Sequence, residues 1–212
     1  MIQAVLFDYG LVLSGPPSPS AWASMLDITG LTDQQLHTAY WSLRLPYDRG
    51  THTGSEYWLL TGQLAGLTLT QPQIAALIAA DTDLWTQPNQ PMIDWAARLQ
   101  AAGTRTGILS NLGDDMTTGI LRKLPWLADF DHRIFSHTLK LAKPEPEIYP
   151  HAAAGLQTPP AQILFVDDRP DNIAAARESG MQAILYLNHA DFLAEMTQRG
   201  LSDLWLTGRS QS

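Results

Sequence analysis

The chain has 212 residues, 45% of them hydrophobic and 16% charged, enough apolar material to bury a substantial core and too much for a disordered chain. With 21 acidic against 13 basic residues (formal charge −8), it lacks the broad positive field that nonspecific nucleic-acid binding requires. It has no cysteine, which excludes disulfides, thiolate metal sites and cysteine nucleophiles, and no apolar run approaches the ~18 residues of a membrane span.

The opening segment Ile2 to Asp8, "IQAVLFD", is short, mostly apolar and followed by Gly10, which predicts a buried strand. No basic stretch precedes it, so no secretory signal and a cytoplasmic location are expected. "SGPPSPS" (14–20) reads as a linker. From Ala21 to Trp85 the pattern predicts helices broken by turns. They are "SAWASML" after a Ser20 cap, "LTDQQLHTAYWSLRL" with Thr32 and Gln35 at capping-box spacing, "TGSEYWLLTGQLAGL", and "LTQPQIAALIAADTDLW" with Pro72 near its first turn.

A second linker, "TQPNQP" (86–91), restores a different rhythm. Helix "MIDWAARLQAAG" leads to strand "TRTGILSN", helix "DDMTTGILRKL" to strand "HRIFSH". Helix "PEPEIYPHAAAGL", which Pro150 is expected to kink or split, leads to strand "QILFVDD". Helix "RPDNIAAARESG" leads to strand "MQAILYL", and "NHADFLAEMTQRG" is the last predicted helix, capped by Asn188 or Asp191. Such alternation predicts an α/β fold: a Rossmann-like, mostly parallel sheet with helices on both faces. Residues 1–15 and 87–212 would form this core, and 16–86 an all-helical cap inserted after the first strand.

In such sheets ligands bind at the carboxyl ends of the strands. Three predicted strands end there in polar groups: Asp8, Ser110 with Asn111, and Asp167 with Asp168. Any one such residue could simply cap a turn. Gathered on one face, Asp8, Asp167 and Asp168 would repel one another, and a divalent cation relieves that repulsion. Magnesium suits an all-oxygen site with a few carboxylates and water. Ser110 and Asn111 at a helix start are donors for anionic oxygen. Lys143, one of only three lysines, sits in "LAKPEPEIY" where prolines fix the backbone, and could neutralise an acidic nucleophile and a bound phosphate.

The ordered segments "VLFDYGLVL", "GILSN", "KPEPEIY" and "ILFVDDRPDNIAAARESGM" resemble the four motifs of the haloacid dehalogenase-like hydrolase superfamily. The resemblance runs from Val5 to Met181 and skips the cap, which matches only in position and helical character. It implies that Asp8 is a nucleophile forming an aspartyl-phosphate. It further implies that Ser110 hydrogen-bonds the transferring phosphoryl group and that Lys143 steadies its charge. Asp168 matches a magnesium ligand, Asp167 a ligand or a supporting partner, and the Gly10 carbonyl another ligand. Asp171 is expected to cap its helix or orient Arg169.

One position departs from the family pattern. Most phosphatases of the superfamily read Asp-x-Asp at the first motif, the second acid serving as proton donor and then base. Here the triplet is Asp8-Tyr9-Gly10. A positioned acid or base is worth about 100- to 10,000-fold in rate, so its absence matters. Three readings remain. The first is a magnesium-dependent phosphatase for a small phosphorylated metabolite, like the Asp-x-Gly enzymes acting on glucose 1-phosphate, whose leaving group needs less help. The second is a metal-free 2-haloacid dehalogenase, and the third a non-catalytic relative that binds a phosphorylated ligand or a partner. The expected partner is a small phosphate ester, with neither nucleic acid nor membrane; the sequence leaves monomer and homodimer open.

Within the cap, "AYWSLRLPYDRGTHTGSEYW" concentrates aromatic and basic residues. Arg44 and Tyr47 are the expected substrate-binding groups, beside Asn111 of the core. Tyr40, Trp41, Tyr57 and Trp58 read first as cap core. His52 is a candidate replacement for the missing acid, with a solvated surface histidine as the plainer alternative.

Overall fold

The computed structural model describes residues 1–206. Strand β1 (Ala4–Phe7) is buried at all four positions. Its side chains alternate between two hydrophobic clusters: Val5 and Phe7 enter one, Ala4 and Leu6 the other. A strand covered on both faces must sit mid-sheet. β1 does: it pairs in parallel with β2 (Arg105–Ser110) on one side and β4 (Ile163–Asp167) on the other. With β3 (His132–Phe135) and β5 (Gln182–Leu185) the five-stranded parallel sheet has the order β3-β2-β1-β4-β5. The strand order reverses at β1, so the ends of β1, β2 and β4 open onto one crevice.

Six α-helices fall between β1 and β2, and the first five are α1 (Pro19–Thr29), α2 (Asp33–Ser42), α3 (Arg44–Asp48), α4 (Gly54–Leu64) and α5 (Gln71–Leu84). Capping boxes start α2 (Thr32, Gln35), α4 (Thr53, Glu56) and α5 (Thr70, Gln73). Their cap interior is aromatic: Tyr40, Tyr47, Tyr57 and Trp58 are all buried. The chain leaves and re-enters the sheet layer side by side, where Ser14 bridges Pro88 and Gly15 N–H donates to Gln87 O.

The remaining helices are α6 (Gln90–Ala101), α7 (Asp114–Lys123), α8 (Ser136–Leu139), α9 (Ile148–Gly155), α10 (Pro170–Glu178), α11 (His189–Gln198) and α12 (Ser202–Leu206). Four local expectations change. The first cap helix is capped by Ser18, whose side chain accepts from Ala21 N–H, because Pro19 takes the first helical position. The predicted helix over 31–45 breaks at Leu43 into α2 and α3. Pro150 neither kinks nor splits α9: the helix begins at Ile148, which puts Pro150 in the first turn, where a missing N–H costs nothing. The short α12 lies beyond the last predicted helix. Among the described residues no helix is long and apolar enough to cross a membrane.

Candidate active site

Directly after β1 the chain makes an irregular turn over Tyr9–Leu13, with Asp8 capping it. Asp8 is buried at the sheet's carboxyl edge, and its Oδ1 accepts both the Tyr9 N–H (2.6 Å) and the Lys143 ammonium (2.9 Å). Every donor found for Asp8 among the described residues goes to Oδ1, so Oδ2 is the oxygen available for chemistry. Burial pushes the Asp8 carboxyl up to about 7, Lys143 opposing and Asp167 and Asp168 adding to the rise.

Lys143 lies between two acids, with Nζ 2.6 Å from Asp167 Oδ2 and 2.9 Å from Asp8 Oδ1. Burial works against its charge, but the Asp167 and Asp8 carboxylates outweigh it and hold the ammonium above its ordinary range. Asn111 holds the Lys143 backbone on both sides: its Nδ2 donates to Lys143 O and its Oδ1 accepts from Lys143 N–H, both at 2.8 Å. That pairing makes the Asn111 side chain a positioning group for the lysine, and Asn111 also lines the cavity where substrate contact is expected.

Asp167, with no exposed surface, accepts from Lys143, from the Arg169 N–H (2.8 Å) and from Asn172 Nδ2 (2.9 Å). Its neighbour Asp168 is only partly buried and faces the cavity, its carboxyl raised by burial and by Asp167. One carboxylate oxygen from each of Asp8, Asp167 and Asp168 falls within 4.8 Å of the others. Three carboxylates against one lysine leave an excess of negative charge, and all donors are hard oxygens. The buried Asn172 Oδ1 beside them has no hydrogen-bond partner among the described residues. This donor set fits magnesium, with Asp8, Asp168 and the Gly10 carbonyl as direct ligand candidates and Asp167 aligning Lys143 behind them.

Asp8, Lys143, Asp168 and Asn172 line a cavity of about 530 Å³ between the sheet edge and the cap, as do Ser110, Asn111 and Gly10, with Asp167 behind them. A Cβ at Gly10 would meet nothing within 4 Å, and φ there is −62°.

The cap residues fare differently. Arg44 lines the cavity, but its charge is already matched by Asp48 (2.9 Å) and Asp81 (3.1 Å). Tyr47 does not reach the cavity: its ring stacks on Tyr57 at 4.7 Å, and its hydroxyl accepts from Met116 N–H. It is a contact between cap and core. His52 is not among the cavity-lining residues, and Asp171 pairs with Arg169 outside the carboxylate cluster. Sequence reasoning missed Asp48, Leu11, Leu45 and Trp85, which line the cavity. Leu45 and Asp48 carried a signal, since with Trp41 and Arg44 they repeat at 41, 44, 45 and 48, the spacing of one helical face.

A family model for haloacid dehalogenase-like hydrolases matches residues 32–180. The chain belongs to this family of hydrolases. Over 112 residues it is 35% identical to bifunctional epoxide hydrolase 2 of Rattus norvegicus, covering 51% of this chain and 20% of that protein. The hydrolase thus matches about a fifth of that relative's length. It is 33% identical to (S)-2-haloacid dehalogenase 1 of a Pseudomonas species over 86 residues, 41% of this chain and 38% of the dehalogenase. Its fold matches an enzyme of the same family from Bacteroides thetaiotaomicron, solved with magnesium and inorganic phosphate, at TM-score 0.73 and 21% identity, covering 87% of this chain and 94% of that one.

Proposed function

We propose that this hydrolase is a magnesium-dependent phosphatase acting on a small phosphomonoester, with Asp8 as nucleophile. The observation that carries the reading is the cluster of Asp8, Asp167 and Asp168 around a single buried lysine. A metal-free displacement at carbon gains nothing from two further acids beside its nucleophile, whereas a divalent cation makes that arrangement favourable. The Bacteroides enzyme, of the same fold, was solved with both magnesium and phosphate.

In this reading Asp8 Oδ2 attacks phosphorus; a P–O bond forms to the carboxylate as the bond to the alcohol oxygen breaks, and the alcohol leaves with a proton taken from water. Water then attacks phosphorus, the aspartyl bond breaks, and inorganic phosphate departs. Lys143 holds Asp8 Oδ1 so that Oδ2 points at the substrate, and it offsets the phosphoryl charge. Ser110 donates to a phosphoryl oxygen, and Asn111 and Asp167 fix Lys143 from either side. Bound magnesium, held by Asp8, Asp168 and the Gly10 carbonyl, supplies charge neutralisation and alignment of the phosphoryl oxygens. Residues 16–86 act as the cap that excludes water and selects the alcohol.

The test is phosphate release from a phosphomonoester panel with magnesium, which EDTA and Asp8→Asn both abolish. Halide release from 2-chloropropionate in EDTA, without phosphatase activity, would replace this reading with dehalogenation.

A further inference from the structure

We infer that the substrate is the phosphate monoester of an apolar alcohol, its hydrocarbon packed against a wall made by Trp41, Leu45 and Trp85; the inference rests on the phosphatase reading above. The face that α2 and α3 turn to the cavity carries Trp41, Arg44, Leu45 and Asp48. Its two charged members are committed to the cap. Arg44 Nε donates to Asp48, its Nη1 donates to Asp81 and to the Tyr40 hydroxyl, and its guanidinium stacks over the rings of Tyr40 and Tyr47. What that face offers a ligand is Trp41, 47% exposed, and Leu45, 56% exposed.

Trp85 completes the wall, edge-on to Trp41 at 6.5 Å. Its indole N–H already donates to the Tyr40 hydroxyl (3.1 Å), which leaves its hydrocarbon for the cavity. From the core side Leu11, 38% exposed, lines the same cavity, held there by a left-handed backbone (φ 57°) that leucine rarely adopts. Scattered exposed apolar residues need no explanation. Here three of them, with the half-buried Trp85, converge in one concavity that Asp8 and Asp168 also line, the form of a site for a ligand with an anionic head and an apolar body. A polyol against Trp41, Leu45 and Trp85 would lose hydrogen bonds to water there, because the exposed polar side chains of the cavity, Arg169 and Asp171, belong to the core and pair with each other. That favours a hydrocarbon alcohol over a sugar such as that of the glucose 1-phosphate used by the resembling Asp-x-Gly enzymes.

The experiment is a series of n-alkyl phosphates from ethyl to octyl, whose leaving alcohols have closely similar acidity, run with magnesium beside glucose 1-phosphate, glucose 6-phosphate and glycerol 3-phosphate. The expected result is that kcat/KM rises up to about fourfold per methylene along the series, passing all three polyol esters. Trp41→Ala and Leu45→Asn flatten that slope. Leu45 is exposed, so its variant carries the test should Trp41→Ala fail to fold. A flat series, a slope that survives in the folded variants, or preference for the polyol esters would overturn the inference and leave the phosphatase reading standing. No phosphate release from any ester would overturn both.

Discussion

Tyr9 and Lys143 both bind the same oxygen of Asp8, so the carboxylate is oriented by its partners and its electrostatic state is set by burial. Its folded-state value of about 7 lies above the ordinary 3.8. Without a cation the fold therefore favours protonated Asp8, and this group's contribution to stability falls as pH rises from about 4 through 7. Asp8→Asn removes that loss. In EDTA the variant should melt at about the native temperature at pH 4 and several degrees above it at pH 8, with magnesium narrowing the gap at pH 8; a scanning-fluorimetry series would show this. An Asp8→Asn variant less stable than native at pH 8 would contradict it. Gly10 supports a converse experiment. Its φ of −62° is ordinary and its missing Cβ would meet nothing, so Gly10→Asp fits and leaves the backbone carbonyl in place. It should raise kcat on alkyl phosphates about 100-fold or more by supplying a proton donor, with little gain on p-nitrophenyl phosphate, whose leaving group needs none. Equal effects on the two substrates would mean that the introduced acid is not acting as the donor.

At the scale of elements, the break at Leu43 separates what the sequence reveals from what only packing decides. Thr32 and Gln35 announce the start of α2 because a capping box is local chemistry, and the five strands are legible as short apolar runs between turns. Nothing local distinguishes an arginine that meets substrate from one buried between Asp48 and Asp81, since Asp81 is 37 residues away on α5. Burial pushes the Asp48 carboxyl up to about 6 and raises that of Asp81 as well, while Arg44 pulls both down. Arg44→Ala leaves two buried acids without their cation and should destabilise the protein by about 3–5 kcal/mol in urea unfolding. A variant of native stability with a raised KM would instead restore Arg44 to the role of substrate ligand.

Across the whole molecule, the carboxylate end of the sheet was readable because a parallel sheet must deliver Asp8, Ser110, Asp167 and Asp168 to one edge. The cap wall was not, because which of its aromatic residues turn inward depends on how the cap seats on the core. Part of that seating lies where α3 and α4 meet α7 and α8. Tyr47 lies against Gly113 and accepts from Met116 N–H, Gly54 N–H donates to Asp114, Ser136 donates to Asp48 O, and Arg49 pairs with Glu145. Gly113 has an ordinary φ of −73°, so the backbone does not require glycine there. Space does: an added Cβ would fall 2.2 Å from the Tyr47 ring. Gly113→Ala should therefore displace the cap without straining the turn after Asn111, lowering kcat/KM at least tenfold and speeding proteolysis within 16–86. Removing the ring as well, in Gly113→Ala/Tyr47→Ala, relieves the overlap and should recover part of the lost activity. If the double variant is no more active than Gly113→Ala, the loss arises in the Asn111–Gly113 turn itself and not from the position of the cap.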